Sequence, residues 1–286
     1  MSLEGKYIYC IIEEGERRNF GPIGLPVLNT HTGIGGRGDE LYTIHYRDIA
    51  AVVSDSPIRR YPVSRENSMA HEHAIEAVME KGYTVLPVRF STIAEDGERI
   101  KKVLKSRYAE FKDLLKKMRN KVELGVKAIF HEEVIYRDIL DEYEQIRRLK
   151  EEITSRPPEK TYYQRIEIGR MVEMALEEQK ARYREEILDT LKKYCHDFRL
   201  TNRLIGERMI MNAAFLVDRD QEEKFDRAVE ELAEKYGEKV KLKYVGNIPP
   251  FNFVNIIIHL PISPPLGGGG GLPLTRSNAT GSGGGG

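Results

Sequence analysis

The sequence predicts an α+β fold built from two domains, and three observations support this prediction. Short apolar runs rich in β-branched and aromatic residues, which are typical of strands, occur along most of the chain. Between them lie longer stretches whose apolar residues recur at the three- and four-residue spacing of amphipathic helices. After residue 131 the helical stretches become longer and more charged. We therefore place an N-terminal domain at residues 1–131, a C-terminal α+β domain with long helices at residues 132–260, and a glycine- and proline-rich tail at residues 261–286.

In the N-terminal half, the apolar periodicity predicts strands that alternate with two helices. Ser64 is a suitable N-cap for the first helix, and Gly82 follows it at the position where glycine commonly ends a helix. The second helix begins near Asp96, and its apolar stripe continues to Met118. This order of elements indicates a modified ferredoxin-like arrangement. The predicted strands cover residues 6–12, 41–46, 49–54, 84–90 and 122–130, the second and third being joined as a hairpin.

The C-terminal half is predicted to contain three helices and three strands. A capping box formed by Asp220 and Glu223 opens the last helix, and Gly237 ends it. The two earlier helices are expected at residues 132–154 and 162–198, and the strands at residues 209–217, 239–245 and 252–260.

Composition excludes several classes of partner. The 286 residues include 45 lysines and arginines and 45 aspartates and glutamates, so the zero net charge gives no general attraction to nucleic acid or to an anionic membrane. Cys10 and Cys195 are too few and too far apart for a disulfide scaffold. Because the sequence has neither a signal peptide nor an apolar segment long enough to span a bilayer, we expect a soluble intracellular protein.

The stretch His71-Glu72-His73 raises the question of a metal site. Residues two apart on a helix point in directions roughly 200° apart, so the two imidazoles cannot chelate one ion from this helix. His71 shares the apolar stripe of the helix with Ile75 and Val78, which indicates packing or hydrogen bonding. No metal and no cofactor is therefore expected here.

The glycine-rich loop from Gly33 to Gly38 resembles a phosphate-binding loop in composition. Such a loop needs a helix N-terminus after it, because the helix amides and dipole hold the anion. The element that follows is a predicted strand that begins with two acidic residues, which favours a surface loop.

Two other features are candidates for contact with a partner. Arg89 stands inside an apolar strand, where it either pairs with Glu72, Glu76 or Glu95 or contacts a partner at a strand edge. The adjacent Pro249 and Pro250 stiffen the chain and could present neighbouring apolar side chains at low entropic cost. Those side chains, Ile248 and Phe251, either complete the core or form a preorganised contact surface.

Four segments of the chain resemble the gas-vesicle protein F/L family. They are YIYCII at residues 7–12, HEHAIE through VLPVRFST at 71–92, AAFLVDRDQEEKFDRAVEELAEKYG at 213–237 and GNIPPFNFVNI at 246–256. The VLPVRF and PPFNFV segments are the most specific. The chain departs from the family pattern at Ser91, where glycine is usual, and in the last segment, where the family favours GPWPPYSF.

The resemblance implies a two-domain α+β accessory protein that is not an enzyme and needs no cofactor. It implies binding to the small hydrophobic shell protein of the gas vesicle, of the GvpA type, with a role in nucleation or assembly of the vesicle wall, and possible contacts to other accessory proteins. It also implies a location at the gas vesicle, on the gas-facing side for the F type, and in the cytoplasm. The partner-contacting residues would be Arg89, Ile248, Pro249, Pro250, Phe251 and Phe253.

Two alternatives of other classes remain open from the sequence. One is a metal- or nucleotide-dependent enzyme built around His71 and His73 or around the Gly33–Gly38 loop. The other is a ferredoxin-like regulatory module that binds a small ligand in a deep polar pocket.

Overall fold

The computed structural model describes residues 4–22, 24–25, 30–31, 40–201, 206–258 and 260. The Gly33–Gly38 loop and the 261–286 tail, both singled out above, lie outside the described residues. The strands are β1 (Glu4–Glu13), β2 (Asn19–Pro22), β3 (Gly24–Leu25), β4 (Thr30–His31), β5 (Glu40–Tyr46), β6 (Ile49–Pro57), β7 (Val85–Pro87), β8 (Ile93–Ala94), β9 (Lys121–Phe130), β10 (Asp197–Leu200), β11 (Met209–Asp218) and β12 (Val240–Ile248). The helices are α1 (Arg65–Glu80), α2 (Gly97–Ser106), α3 (Tyr108–Met118), α4 (Glu132–Glu142), α5 (Glu144–Thr154), α6 (Tyr162–Leu191) and α7 (Glu222–Tyr236).

The first sheet has the antiparallel order β2-β5-β6-β1-β7, and β8 also pairs with β1. Side chains of β1 are divided between two cores, and a register shift between Ile8 and Cys10 interrupts the alternation of the strand. Tyr7, Tyr9 and Ile12 pack beneath α1, whereas Ile8 and Ile11 pack against α2 and α3. The sheet is therefore covered by helices on both faces, which explains why the β1 sequence is almost continuously apolar.

The second sheet has the antiparallel order β10-β11-β9-β12. Alternate residues of β9 and β11, among them Leu124, Val126 and Phe215, pack against α4, α6 and α7 in one core. The α+β class predicted from the sequence is confirmed. No helix within the described ranges is long and apolar enough to cross a membrane.

Each half of the chain contributes residues to the sheet or core formed mainly by the other half. Strand β9, which lies before residue 131, pairs in the second sheet, and Val254 and Ile256, which lie near the end of the chain, pack into the core of the first. The division into domains at residue 131 stays a prediction. In both places residues of the second half of the chain contact residues of the first half. The candidate site lies at the second place, beside Val254 and Ile256.

Two predicted long helices are each broken into two. The stripe from Asp96 to Met118 is interrupted at Arg107, whose φ of −111° and ψ of 19° are not helical. The break allows α2 to contact β5 and β6 while α3 contacts β1 and β7, so the helices follow the twist of the sheet. The predicted helix at 132–154 is similarly broken at Tyr143, whose φ is −104° and ψ is 91°.

The predicted helix at residues 162–198 extends too far. It ends at Leu191, and Phe198 belongs to the edge strand β10, where its ring stacks on Phe215 at 6.1 Å between centroids. The capping box of Asp220 and Glu223 was also wrong. A 3-10 turn precedes α7, so the cap position is Gln221, which makes no capping hydrogen bond through its side chain.

The predicted last strand at residues 252–260 is not formed in the part of it that the structure describes, residues 252–258 and 260. The backbone N–H groups of Phe253 and Val254 donate to the carbonyl of Pro250, at 3.2 and 2.9 Å, and this turn uses the groups that a strand would need. Beyond the turn the chain makes one parallel bridge, between Ile256 and Val88.

Candidate functional site

A groove of about 490 Å³ runs between α1, the end of β7 and residues 254–257, and we call it the Phe251 groove. Its walls combine apolar and charged side chains. Those that matter below are His71, Glu72, Arg89, Phe90, Phe251 and Ile257. Thus two residues predicted to contact a partner, Arg89 and Phe251, line the same groove although they are distant in sequence.

The groove is formed because residues 254–257 lie beside the end of β7. The Arg89 N–H donates to the Ile256 carbonyl at 3.2 Å, next to the bridge between Val88 and Ile256. Phe251 precedes these residues in the turn, where its N–H is 2.6 Å from the Pro249 carbonyl. Its side chain is 40% exposed, so a large apolar surface faces solvent at the groove.

His71 lines the groove and is held in place by a chain of hydrogen bonds. The ring is buried, with Nε2 3.1 Å from the Val88 carbonyl and Nδ1 3.1 Å from the Tyr7 hydroxyl. Because a carbonyl only accepts, Nε2 carries the proton, and Nδ1 accepts from Tyr7. The Tyr7 oxygen in turn accepts the Ser91 N–H at 2.8 Å. The ring also stacks on Tyr9 and contacts Phe251, with centroids 5.7 and 6.1 Å apart.

This environment keeps His71 neutral. Burial lowers its pKa to about 4, and the hydrogen bond to Val88 opposes that shift only partly. Both ring nitrogens already have partners, so His71 offers no free lone pair to a metal. His73 lies on the other side of the helix, with Nδ1 2.9 Å from Glu76. In the part of the chain that the structure describes, no group of three or more histidine, cysteine, aspartate or glutamate side chains could hold a metal ion.

Arg89 does not form the ion pair that the sequence suggested. Its side chain is exposed, and none of the described carboxylates lies within ion-pair distance of its guanidinium. Glu95 instead pairs with Arg99 at 2.6 Å, and Glu76 contacts His73. Glu72, across the groove, is half-buried, and burial followed by the nearby charge of Glu76 raises its pKa.

The other residues predicted to contact a partner lie outside this groove. Pro249 and Pro250 are buried, and Pro250 lines a separate cavity with Met79 and Tyr83. Ile248 is half-buried at the end of β12. Phe253 is half-buried beneath the guanidinium of Arg199, 5.9 Å from the ring centroid.

A buried carboxylate behind the groove holds the turn in place. Glu123 of β9 is fully buried and accepts two hydrogen bonds from Asn252, from the backbone N–H at 3.0 Å and from Nδ2 at 2.5 Å. Burial raises its pKa to about 7, although both bonds oppose the shift, and the charge of Glu72 adds to it. Sequence reasoning missed this contact, because the alternation in β9 indicates that Glu123 faces water.

Ser91 adopts a left-handed backbone conformation with φ of 64°. This conformation costs a non-glycine residue about 1–2 kcal/mol. The serine hydroxyl partly offsets the cost, because it accepts the Tyr61 N–H at 3.2 Å. Glycine, which the resemblance predicts at this position, would adopt this conformation without that cost.

We predict that Ser91→Ala is less stable than Ser91→Gly by about 1 kcal/mol, because both lose the hydroxyl and only glycine relieves the backbone. Ser106, the last residue of the right-handed helix α2, provides the control. There the order should reverse, since glycine is unfavourable in helices. Urea unfolding of the four variants measures this, and the same order at both positions would contradict it.

Comparison with known proteins supports the resemblance. The sequence model of a family described as "Gas vesicle synthesis protein GvpL/GvpF" matches residues 5–255. Gas vesicle protein F of a Streptomyces species is 29% identical over 222 residues, which cover 78% of this chain and 91% of the relative. Gas vesicle protein F of Haloferax mediterranei is 26% identical over 256 residues, covering 88% of this chain and 94% of the relative.

A solved structure has the same fold. The crystal structure of the gas vesicle protein GvpF from Anabaena sp. superposes with a TM-score of 0.72 at 23% identity, covering 90% of this chain and all of that one. The region matched by the family includes both walls of the Phe251 groove up to residue 255.

Proposed function

Because the chain belongs to the GvpL/GvpF family of gas vesicle synthesis proteins, we propose that it is a non-enzymatic accessory protein that binds the small hydrophobic shell protein and assists its assembly into the vesicle wall. The observation that carries the proposal is the Phe251 groove, in which an exposed aromatic ring is held on a hydrogen-bonded turn beside Arg89. In this proposal the protein acts in the cytoplasm and at the gas vesicle.

The physical requirements of such a client fit this surface. A subunit that forms a wall with an apolar inner face must expose apolar surface before assembly, and such surface aggregates. A partner that covers it and later releases it needs a contact of modest size, about 600–800 Å² on each side, and an affinity on the order of micromolar. Phe251 is supported by Glu123 through Asn252, so little conformational entropy would be lost when it is covered.

The edge of the second sheet offers an additional contact. A β-rich client can add a strand to an exposed edge. On β12 the exposed Lys241 and Lys243 disfavour this, since lysines commonly protect edges against pairing. The short strand β10 at the opposite edge, which carries the exposed Leu200, is the better candidate.

The enzyme alternative has less support. A metal site at His71 and His73 would need free ring nitrogens on one side of the helix, whereas each histidine is engaged with a different partner. For a nucleotide site at the glycine-rich loop, the following element would have to be a helix, and it is the strand β5.

We predict that Phe251→Ala weakens binding of the shell protein by about 30-fold, which is the loss of about 2 kcal/mol typical of a central aromatic contact. Co-purification of the two proteins, followed by titration, measures the effect. Tyr163→Ala is the matched control, since Tyr163 is 81% exposed on α6 and does not line the groove.

Complementation provides the cellular test of the same proposal. Deletion of the gene in a gas-vesicle-forming host should abolish vesicles, and Tyr163→Ala but not Phe251→Ala should restore them. Vesicle formation at the wild-type level with Phe251→Ala would show that the groove is not the contact surface. Absence of any complex with the shell protein would contradict the proposed function itself.

A further inference from the structure

A second groove, of about 530 Å³, lies on the other side of Arg89, and we call it the arginine groove. Arg59, Arg60 and Arg89 line it together with apolar side chains that include Val63 and Ile257. No acidic side chain belongs to its lining in the described part of the chain. Val63 is 85% exposed and Ile257 38% exposed, so the apolar surface is open to solvent.

The three arginines of this groove are not neutralised by a neighbouring acidic side chain among the residues that the structure describes. Other exposed arginines are, as in Arg18 with Glu14 at 2.8 Å and Arg156 with Glu152 at 2.9 Å. Within the described ranges, Arg59, Arg60 and Arg89 have no carboxylate at ion-pair distance.

The orientation of Arg59 is fixed without a carboxylate. Its guanidinium carbon stands 4.8 Å from the centroid of the Tyr61 ring, a cation–π contact that leaves its N–H groups available. The Tyr61 hydroxyl is in turn bonded to Ser56 at 2.7 Å, so the ring beneath the guanidinium is itself anchored. The groove therefore presents several unused, partly preorganised donors.

We propose that the arginine groove binds an extended peptide segment that carries two or more carboxylates beside an apolar side chain. Guanidinium groups match carboxylates with two parallel hydrogen bonds each, and this geometry favours planar acidic groups. The apolar side chain of the segment would cover Val63 and Ile257. The Ser91 and Thr92 side chains lie in the same lining as further polar groups.

A peptide fits the groove better than a nucleic acid does. Single-stranded nucleic acids are bound by exposed aromatic rings along an extended basic track. Here the Tyr61 ring is buried and already covered by Arg59, and the exposed apolar residues are aliphatic. The zero net charge of the chain gives no general attraction to a polyanion.

This inference goes beyond the proposed function, because the segment could belong to any partner protein. The test uses a fluorescein-labelled peptide in which glutamates alternate with leucines, and a matched peptide with glutamines in place of the glutamates. Fluorescence anisotropy at low salt should show binding of the acidic peptide only, with an affinity that falls as salt is added.

The variant Arg59→Gln/Arg60→Gln should weaken binding of the acidic peptide by roughly tenfold or more, since two charge-assisted contacts are removed. Arg59→Lys/Arg60→Lys keeps the charge but loses the paired geometry, so a smaller, several-fold loss is expected. Arg65→Gln is the matched control, because Arg65 is an exposed arginine at the start of α1 that does not line the groove. Arg89 is left unchanged because it also lines the Phe251 groove.

Three results would overturn the inference: no binding of the acidic peptide, equal binding of the glutamine peptide, or an equal loss in Arg65→Gln. Tighter binding of a single-stranded oligonucleotide, abolished by the same double variant, would also overturn it. A pull-down of the shell protein distinguishes the two proposals. If wild type and Arg59→Gln/Arg60→Gln retain equal amounts of shell protein, the arginine groove is not needed for that binding. Phe251→Ala then tests the proposed function independently of the arginine groove.

Discussion

Replacing His71 with phenylalanine should destabilise the protein by about 2–4 kcal/mol at neutral pH and by much less near pH 4. The phenyl ring retains the contacts with Tyr9 and Phe251, but it can neither donate to the Val88 carbonyl nor accept from the Tyr7 hydroxyl. Each buried group left without a partner costs about 1–3 kcal/mol. This is a large fraction of the stability of an ordinary domain.

The pH dependence follows from the lowered pKa of His71. The pKa is about 4 in the folded protein, whereas the ordinary value for histidine is 6.5. Between these values the unfolded chain binds a proton that the folded protein does not. The contribution of His71 is therefore fully present above pH 6.5 and decreases by about 3 kcal/mol as the pH falls to 4. The phenylalanine variant lacks this dependence, so the stability difference between the two proteins should shrink over this range.

Urea unfolding of wild type and variant at several pH values between 4 and 7.5 measures the difference directly. His73→Gln serves as the control, because His73 lies two residues away and only contacts Glu76 near the surface. Its effect should stay below about 0.5 kcal/mol. A constant difference between wild type and His71→Phe across the range would show that burial does not hold the imidazole neutral.

Sequence reasoning succeeded where the determinants are local. The first helix begins and ends as predicted because Ser64 accepts the Asn67 N–H at 3.2 Å and Gly82 adopts a φ of 86°. The hairpin between β5 and β6 is likewise confirmed, with Arg47 in the left-handed conformation at the turn. In these places a few adjacent residues decide the structure.

The helix breaks could not be predicted, because tertiary packing causes them. Neither Arg107 nor Tyr143 is a residue type that ends helices, and the apolar stripe continues across both. At Arg107 the side chain finds partners that the sequence does not show, donating to the Ile257 carbonyl at 2.9 Å and covering the Phe111 ring.

The candidate site was predicted only in part. Arg89 and Phe251 were each singled out, but their meeting in one groove depends on the return of the last segment to the first sheet. The ion pair expected for Arg89 rested on nearby glutamates that the fold directs elsewhere. Arg59 and Arg60 gave no signal, since adjacent arginines before a tyrosine are typical of an ordinary exposed loop.

The two titrating groups behind the groove act in opposite directions. His71 makes the fold less stable as the pH falls, whereas Glu123 makes it less stable as the pH rises. Their ranges overlap between about pH 4.5 and 6.5, so the pH profile of the wild type alone would partly conceal both. Single variants are needed to separate them.

For Glu123→Gln we predict a reversal: the variant should be about 1 kcal/mol less stable than wild type near pH 4.5 and about 2 kcal/mol more stable at pH 8. The pKa of Glu123 is about 7 in the folded protein and 4.5 for an ordinary glutamate, so the folded protein holds a proton that the unfolded chain releases between these values. Wild-type stability therefore falls by about 3 kcal/mol as the pH rises through this range, and glutamine removes that loss.

The remaining cost of the glutamine comes from its amide group. The carbonyl can still accept one N–H of Asn252, but the NH₂ group faces a second donor, where the hydroxyl oxygen of the protonated carboxyl group can still accept. One poor contact of this kind costs about 1 kcal/mol or more, which sets the disadvantage at low pH. The double variant Glu123→Gln/Asn252→Ala removes the conflicting donor and should recover part of it.

Urea unfolding at pH 4.5 and pH 8 measures the reversal, with Glu133→Gln on the exposed surface of α4 as the control. A glutamine variant that is less stable at both pH values would show that Asn252 stabilises the ionised carboxylate more than burial disfavours it. If the reversal occurs, ionisation of Glu123 weakens the fold at the contact that holds the Phe251 turn, since Asn252 follows Phe251 directly.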